Sequence, residues 1–253
     1  MEAIFATAIK SLLLNKVRSF LTMLGVIIGV GSVVLLTSIG TGLQAYITDQ
    51  FASLGATTLF VSPGNVFNAD GGFGNQEAAM IDARKNLLNR QQFERIMRNN
   101  RDLIAHGTYT GLSTAEAKYR NNTERVTVYG VTADYQYAGS AETEKGAWFT
   151  KIDDNKKSKV AVLGVTIAED LFGQSDPIGR RIKLENTTFE VVGVLEEQGG
   201  GFGGPSFDNY VYIPTETLFD MFNTELIDGF TFKAFTKEQV PLLKQQIEQT
   251  LID

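Results

Sequence analysis

One long apolar segment stands out near the start of the chain. No Asp, Glu, Lys, Arg or His occurs between Arg18 and Asp49, so thirty consecutive positions are uncharged. The centre of this segment, Phe20–Ile39, has about the 20 apolar residues that a helix needs to cross the hydrocarbon core of a bilayer. Its apolar side chains cover every face of the helix, whereas a buried core helix usually keeps a polar stripe. The pattern therefore predicts one membrane-spanning helix over residues 19–43.

A cleavable signal peptide is the main alternative to a permanent span, because a positively charged segment precedes the apolar run. That run is longer than the roughly 7–15 residues of a signal peptide's apolar region. The residues that follow it, 41–51, offer no clear small-x-small cleavage site. Both features favour an uncleaved helix.

Apolar residues also recur at helical spacing in the first eighteen residues. They are Ile4, Phe5, Ala8, Ile9, Leu12 and Leu13. Residues 1–18 are therefore predicted to form a short amphipathic helix in the cytoplasmic interface of the membrane. Packing on a partner's helix and a plain N-terminal extension of the span are the alternatives.

Small residues are frequent inside the predicted span. Gly25 and Gly29 form a GxxxG step, and Gly31, Ser32 and Ser38 add further small side chains. Small residues let helix backbones approach closely. The motif is common and only weakly specific, but it favours a span that packs against other helices, with Gly25 and Gly29 at the contact.

Beyond the span, short alternating segments predict an α+β fold. Strands are predicted over residues 57–62, 125–131, 159–163, 181–184, 189–195, 210–213 and 229–235, and helices over 89–99, 167–172 and 239–251. Residues 64–86 are rich in Gly, Asn and Ala and predict a long, mobile loop.

The positions of these segments indicate how the region after the span is organised. A strand and a helix occur near both of its ends. We therefore expect a membrane-proximal α/β subdomain built from residues 56–110 and 225–253. A β-rich subdomain, residues 111–224, is inserted between them. Together they form one extracytoplasmic region, residues 44–253.

The net charge of −6 is divided unevenly by the apolar segment. Lys10, Lys16 and Arg18 outweigh Glu2 before it, which gives +2, and residues 49–253 carry −8, so the two parts sum to −6. The positive-inside rule then places the N-terminus in the cytoplasm and the bulk of the chain outside. An acidic outer region also argues against binding to nucleic acid.

Residues that carry chemistry are sparse. With no cysteine and with His106 as the only histidine, thiol chemistry, a zinc cluster and a multi-histidine site are excluded. No GxxxxGK(S/T) motif is present, so these residues do not bind ATP through a P-loop. The neighbouring Asp153 and Asp154 fit a solvated turn better than a calcium loop. We therefore expect no catalytic residue, no cofactor and no metal site.

A glycine-rich stretch lies between two predicted strands and formally satisfies GxGxxG. A dinucleotide site needs a helix directly after the glycines, but Pro205 and a further strand follow. The stretch therefore favours a flexible hairpin tip that contacts a partner. Its residues are Gly199, Gly200, Gly201, Phe202, Gly203 and Gly204.

Motifs in order along most of the chain resemble those of MacB-type, FtsX-like ABC transporter permeases. The first lies at the entry of the span and comprises Arg18, Leu21, Thr22, Leu24, Gly25, Ile28 and Gly29. The others are LGVTIAEDLFG at 163–173, DPIGRRIKL at 176–184, FEVVGVL at 189–195 and VYIP at 211–214. The resemblance implies a permease with four transmembrane helices and a large extracytoplasmic domain between the first and the second.

The same resemblance implies a function in a bacterial plasma membrane. Members of the family dimerise, pair with a cytoplasmic ABC ATPase and convert ATP-driven closure into motion of their outer domains, which is called mechanotransmission. Some work with a periplasmic adaptor protein to expel macrolides, peptides or toxins, and relatives extract lipoproteins or control cell-wall hydrolases. We thus expect a permease subunit that is not itself an enzyme, with ATP bound by a separate subunit.

The chain departs from the family pattern at Asp253, where a second span is expected to begin. A fragment of a longer permease is the favoured interpretation, and a truncated product is the alternative. A second function hypothesis is an envelope-anchored binding or adaptor module that uses its single helix only as a tether. Coding sequence for further apolar helices after Asp253 would favour the permease.

Overall fold

The computed structural model describes residues 16–53, 57–63, 87–139, 141–197 and 206–252. The chain divides into two units, Met1–Gln50 and Phe51–Asp253, and each is described by itself. Three predicted features lie outside the described residues: the amphipathic helix as far as residue 15, the loop over 64–86 and the glycine-rich stretch 199–204.

The described residues of the first unit belong to one long helix, α1 (Lys16–Ser53), which ends three residues into the second unit. Its segment Lys16–Gly42 is long and apolar enough to cross a membrane, and the predicted span over 19–43 coincides with it. The hydroxyls of Thr22, Ser32, Thr37 and Thr41 donate to carbonyl oxygens one turn earlier, at 2.7–3.0 Å. These polar groups are therefore satisfied inside the helix, as an apolar environment requires.

Helix α1 continues ten residues beyond the predicted span. Residues 44–53 contain neither glycine nor proline, so no residue there removes a backbone donor or favours a helix stop. The end of the apolar segment and the end of the helix are therefore separate features of this sequence.

The second unit contains nine strands and six α-helices among its described residues. The strands are β1 (Thr58–Val61), β2 (Ile104–Tyr119), β3 (Asn122–Val131), β4 (Thr143–Gly146), β5 (Val160–Leu163), β6 (Arg181–Leu184), β7 (Thr187–Leu195), β8 (Tyr210–Pro214) and β9 (Gly229–Ala234). The helices are α2 (Arg90–Asn99), α3 (Tyr135–Ala138), α4 (Lys151–Lys156), α5 (Val165–Phe172), α6 (Thr215–Phe222) and α7 (Val240–Ile252).

A three-stranded antiparallel sheet is formed by β1, β9 and the first half of β2, with β9 in the centre. Helices α2 and α7 supply apolar side chains to its core. Phe93 of α2 stacks on Phe232 of β9 with ring centres 5.5 Å apart. Ile96 of α2 and Leu243 of α7 are both fully buried. This sheet with its two helices is called the three-stranded sheet layer below.

The second half of β2 leaves this layer and enters a closed ring of six strands. The pairings run β2-β3-β8-β5-β7-β6 and return from β6 to β2 through Ala117 with Leu184 and Lys118 with Lys183. Strand β4 pairs with β7 outside the ring. The ring is a small barrel of mixed strand direction, since β3 pairs with β8, and β5 with β7, in parallel.

Alternate residues of the ring strands are buried, as period-two side-chain geometry requires. These residues are Ala115, Ala117, Val126, Val128, Ala161, Leu163, Ile182, Leu184, Phe189, Val191, Val211 and Ile213. They belong to one continuous apolar cluster with the core of the three-stranded sheet layer. The two parts therefore share a core.

A second, aromatic cluster covers the opposite face of β5 and β8. It contains Tyr135, Trp148, Phe149, Tyr210 and Tyr212, and the ring centres of Trp148 and Phe149 lie 4.8 Å apart. Because both faces of β8 are covered, all five of its residues are buried. Burial also raises the pKa of Tyr135 and Tyr212 well above the ordinary tyrosine value.

The predicted elements agree with the observed ones in type, and the α+β class is confirmed. Five observed elements lie outside the predicted bounds: β2, β4, α3, α4 and α6. For two of them the reason is visible in the sequence. Strand β2 is 16 residues long, whereas its sequence contains two glycines and small residues that give a weak strand signal. Helix α6 has only eight residues and no side-chain cap, so its helical pattern is short and lacks a start signal.

Candidate functional site

Strand β2 connects the three-stranded sheet layer to the barrel. The segment that leads from α6 back to β9 crosses beside it. Thr110 pairs with Gly229 of β9, whereas Gly111 pairs with Gly130 of β3. Asp228 lies at this change of partner, where its N–H donates to the carbonyl oxygen of Thr110 at 2.8 Å. The Asp228 carboxylate accepts from the N–H of Leu112 at 2.6 Å. The two crossing segments are therefore tied to each other.

A cleft of about 520 Å³ lies near this crossing. Helix α2 contributes Arg90, Phe93, Glu94 and Met97 to its lining, the α4 segment contributes Lys151, Asp154, Asn155 and Lys157, and α6 contributes Glu216. Gly107 and Tyr109 of β2 and the residues Thr132 and Asp134 after β3 complete the lining. A Cβ atom at Gly107 would crowd the sulfur of Met97, so a larger residue there would require the Met97 side chain to move.

Three elements meet in an ionic cluster at one side of the cleft. Arg90 of α2 forms an ion pair with Glu216 of α6. The hydroxyl of Tyr109 accepts from Nη2 of Arg90 at 2.7 Å and donates to Oε1 of Glu216 at 2.9 Å. Phe93 meets the Tyr109 ring edge-on at 5.2 Å, which holds that ring in place. Arg90, Tyr109 and Glu216 are called the Arg90 clasp.

A second ionic contact joins β2 to α4. The Asp134 carboxylate lies 3.1 Å from Nζ of Lys151 on α4 and 3.9 Å from Nδ1 of His106 on β2. The His106 ring stacks on Tyr137 of α3 with centres 4.7 Å apart. His106, Asp134 and Lys151 are called the Asp134 link. The Arg90 clasp therefore joins α2 and β2 to α6. In the Asp134 link, the Lys151–Asp134 pair lies within the barrel part, and only His106 belongs to the three-stranded sheet layer.

The expectation of a solvated turn at Asp153 and Asp154 is wrong, because the two residues lie in a short helix and are partly buried. These residues lie in α4, and Asp154 is half-buried, with the N–H of Ala133 donating to its Oδ2 at 2.6 Å. Oδ1 of Asp154 is buried and accepts no hydrogen bond from the described residues. Burial raises the pKa of Asp154 to about 6; the Ala133 N–H opposes that rise, and the nearby Asp134 charge adds to it.

A family model described as the MacB-like periplasmic core domain matches residues 19–250. The chain belongs to this family. The MacB-like chain is 32% identical over 251 residues to the macrolide export ATP-binding/permease protein MacB of Chlorobaculum tepidum, covering 95% of this chain and 36% of that protein. It is 29% identical over 243 residues to the protein of the same name from Bdellovibrio bacteriovorus, covering 96% of this chain and 36% of that protein. The chain thus spans about a third of the length of these relatives.

Solved structures show the same fold. The periplasmic region of MacB from Actinobacillus actinomycetemcomitans matches with a TM-score of 0.61 and 19% identity, covering 80% of this chain and 89% of that one. The extracellular domain of the noncanonic ABC-type transporter YknZ from Gram-positive bacteria matches with a TM-score of 0.58 and 17% identity. The match covers 76% of this chain and 92% of that one. The predicted MacB-type resemblance is therefore confirmed.

None of the predicted site residues that the structure describes lines the cleft of this MacB-like chain. Gly25 and Gly29 lie on α1, where a Cβ atom at either position would meet no atom within 4 Å. Lys16 and Arg18 are exposed at the start of the same helix. Lys10 and the glycine-rich stretch 199–204 lie outside the described residues. Helix packing, membrane orientation and partner contact stay predictions for these positions.

The sequence pattern did not reveal the Arg90 clasp. Tyr109 is 19 residues from Arg90 and 107 residues from Glu216. No local spacing relates residues so far apart, because only the packing of α2 and α6 on β2 brings them together. The one local signal is Asn89, which caps α2 and fixes Arg90 in its first turn.

Proposed function

We propose that this chain belongs to the permease subunit of an ABC transporter of the macrolide, peptide or lipoprotein export type. The observation that carries the proposal is the family match over residues 19–250, which includes most of α1 as well as the outer region. The named relatives are macrolide export ATP-binding/permease proteins. This chain corresponds to about a third of such a protein.

In this proposal, α1 crosses the plasma membrane of a bacterium with its N-terminus in the cytoplasm. The charge distribution supports that direction, because residues 1–18 carry +2 and residues 49–253 carry −8. The second unit is then extracytoplasmic. Gly25 and Gly29 supply a surface on which other helices of the permease, or of a second copy, pack closely.

The energy source lies outside these 253 residues. They contain no P-loop motif, so ATP is bound and hydrolysed by a separate cytoplasmic ABC ATPase. The chain itself acts as a non-catalytic coupling element. Only residues 54–57 separate the end of α1 from β1, and such a short connection supports the transmission of helix motion to the outer region.

Two further partners complete the proposal. A homodimer places two outer regions side by side, so that closure of the ATPase pair moves them together. A periplasmic adaptor protein contacts the outer region, and the glycine-rich residues 199–204 are the proposed contact loop. Flexible glycine-rich loops supply adaptable backbone hydrogen bonds for such contacts.

Affinity purification from native membranes tests this function. The gene is tagged at its chromosomal position, together with whatever coding sequence follows the codon for Asp253. We expect an ABC ATPase to co-purify and the isolated complex to hydrolyse ATP, with the activity lost when the P-loop lysine of the ATPase is replaced. A stop codon directly after Asp253 with no co-purifying ATPase would contradict the proposal and favour a single-span binding or adaptor module.

A further inference from the structure

A second cleft, on the barrel part, lies between the edge strand β4 and helix α5. One wall is Glu144–Gly146 of β4, and the other is formed by α5 and the loop after it, within residues 165–178. This cleft is called the β4 groove. Its volume is about 650 Å³, which lies in the range of roughly 300–1,000 Å³ that is usual for ligand sites. It is therefore large enough to hold several residues of another chain.

Strand β4 supplies the groove with backbone groups. It pairs with β7 on one side, and no other strand pairs with it among the described residues. The free edge of a strand presents N–H and C=O groups that another chain can pair with. Strand β4 has only four residues and a register shift between Thr143 and Lys145. Its edge therefore suits a short extended segment better than a long, flat strand.

The floor of the groove is apolar. Ala168 of α5 and Val194 of β7 are almost fully buried there, and Ile178 is half-buried. Gly146 and Gly173 lie at the two walls and carry no side chain into the opening. A glycine in a strand often marks a place where another backbone approaches closely. The groove can therefore accept a backbone beside β4 and small apolar side chains on its floor.

The charges around the groove favour a basic occupant. The lining contains three carboxylates, those of Glu144, Glu169 and Asp176, and one cation, Lys145. Asp176 accepts from the N–H of Ile178 at 3.1 Å. Glu144 and Glu169 come from opposite walls and are exposed, and neither carboxylate has an ion pair or hydrogen bond to a described residue.

The same charges argue against a second copy of this chain as the occupant. Pairing of β4 with its own copy would bring a second Glu144 to an edge that already carries Glu144 and faces Glu169. Like charges directly opposite each other on paired strands are destabilising. A Lys or Arg side chain between the two walls would instead be attracted to both carboxylates.

We propose that the β4 groove binds an extended, basic segment of a partner protein, which adds a strand to the free edge of β4. The backbone of the segment bonds to β4, its apolar side chains contact Ala168 and Val194, and a Lys or Arg lies between Glu144 and Glu169. The site uses other residues than the proposed contact loop 199–204. It goes beyond the transport role and does not depend on it.

Selection of phage-displayed random peptides on the whole 253-residue chain in lipid nanodiscs tests this inference. Phage that bind empty nanodiscs are removed first. We expect the selected peptides to combine apolar residues at alternate positions with a Lys or Arg. Reversing both groove charges, with Glu144→Lys and Glu169→Lys, should weaken binding of these peptides about tenfold or more.

The matched control combines Glu142→Lys with Asp170→Lys. Both residues are exposed and adjoin the same two elements, and neither lines the groove. The control makes the same change in net charge, so its affinity should stay near that of the parent. If the double reversal fails to fold, Glu144→Gln with Glu169→Gln removes the charges more gently. Emission from Trp148, the only tryptophan, checks the fold of every variant.

Backbone methylation separates strand addition from simple charge attraction. A selected peptide that is N-methylated at the alternate residues facing β4 keeps its charges but loses its donors, so it should no longer bind. The unmethylated peptide should slow hydrogen exchange of the amides of Thr143–Gly146.

Three results would overturn the proposal: no peptide is selected, the groove variant binds as well as the control, or the methylated peptide binds as well as the parent peptide. Self-association of the chain that Glu144→Lys abolishes would also overturn it, in favour of a second copy. None of these results touches the transport proposal, because no ATPase is present.

Discussion

Asp154 illustrates how packing changes the chemistry of a single side chain. Its sequence neighbours are charged or polar, yet folding half-buries its carboxylate beside the N–H of Ala133 and near Asp134. One oxygen accepts a short hydrogen bond, and the other is buried without a partner among the described residues. Ionising such a group costs free energy in the folded protein that it does not cost in the unfolded chain.

Asp154→Asn is expected to raise the free energy of unfolding near neutral pH by about 1 kcal/mol. This value is smaller than the pKa shift alone would give, because the carboxylate is partly solvated. The folded pKa of about 6 lies above the ordinary value of 3.8. The carboxylate therefore lowers stability above pH about 6, and this loss fades as the pH falls towards 4. Denaturant titrations followed by Trp148 emission should show the advantage at about pH 7.5 and a smaller one at about pH 4.5. Equal gains at both pH values would contradict the assignment.

Gly146 is a second position where one residue decides local structure. Its φ is +73°, and a Cβ atom there would collide with the carbonyl oxygen of Val192. Gly146→Ala should therefore lower the free energy of unfolding by about 3 kcal/mol. Gly173 also has a positive φ, +58°, with ψ −122°, but faces open space, so Gly173→Ala adds backbone strain without a clash and should cost less, about 2 kcal/mol. Urea denaturation of both variants checks this, and losses of equal size would count against the steric cause.

Helix α2 shows how an element positions the Arg90 clasp. Asn89 accepts from the N–H of Gln92, and the Gln92 side chain accepts from the N–H of Asn89, both at 2.9 Å. This capping box starts the helix at Arg90 and thus directs the Arg90 side chain towards Tyr109. The apolar side of the same helix, Phe93 and Ile96, is visible in the sequence spacing. Its polar side acquires a partner only when α6 packs nearby.

Asn89→Ala should lower the free energy of unfolding by about 1 kcal/mol, because the bond from the N–H of Gln92 to the Asn89 side chain is lost. Asn89→Ser keeps an acceptor for the N–H of Gln92 and should recover most of that stability. Asn99→Ala, at the other end of α2, provides a control that leaves the cap intact. Chemical denaturation of the three variants measures the differences, and an equal loss for Asn89→Ala and Asn99→Ala would argue against the cap.

The strands show which elements a sequence pattern identifies and which it does not. Strand β7 was predicted because large apolar residues alternate along it, and β8 because four consecutive residues are apolar or aromatic. Strand β2 was not predicted in full, because its inward positions in the barrel are Ala115 and Ala117. A narrow barrel interior needs small side chains there, and small side chains give almost no strand signal.

At the scale of the whole molecule, the charge distribution makes a prediction about orientation. Single cysteines can be introduced without background because the chain has none. A membrane-impermeant maleimide should label Gln174→Cys in intact spheroplasts and should label Ser11→Cys only after the membrane is broken. The cysteine-free parent is the control. Labelling of Ser11→Cys in intact spheroplasts would reverse the proposed topology.

The sequence alone determined the apolar span, the direction of its charged flanks, the α+β class and the family resemblance. These features depend on local composition and on spacing within single elements, and both can be read from the order of residues along the chain. Only the tertiary structure decided that β2 serves two sheets, that the barrel closes through β6, and that Arg90, Tyr109 and Glu216 meet beside a cleft. Those features depend on contacts between residues far apart in sequence, because burial and ion pairing are set by the neighbours that folding brings together.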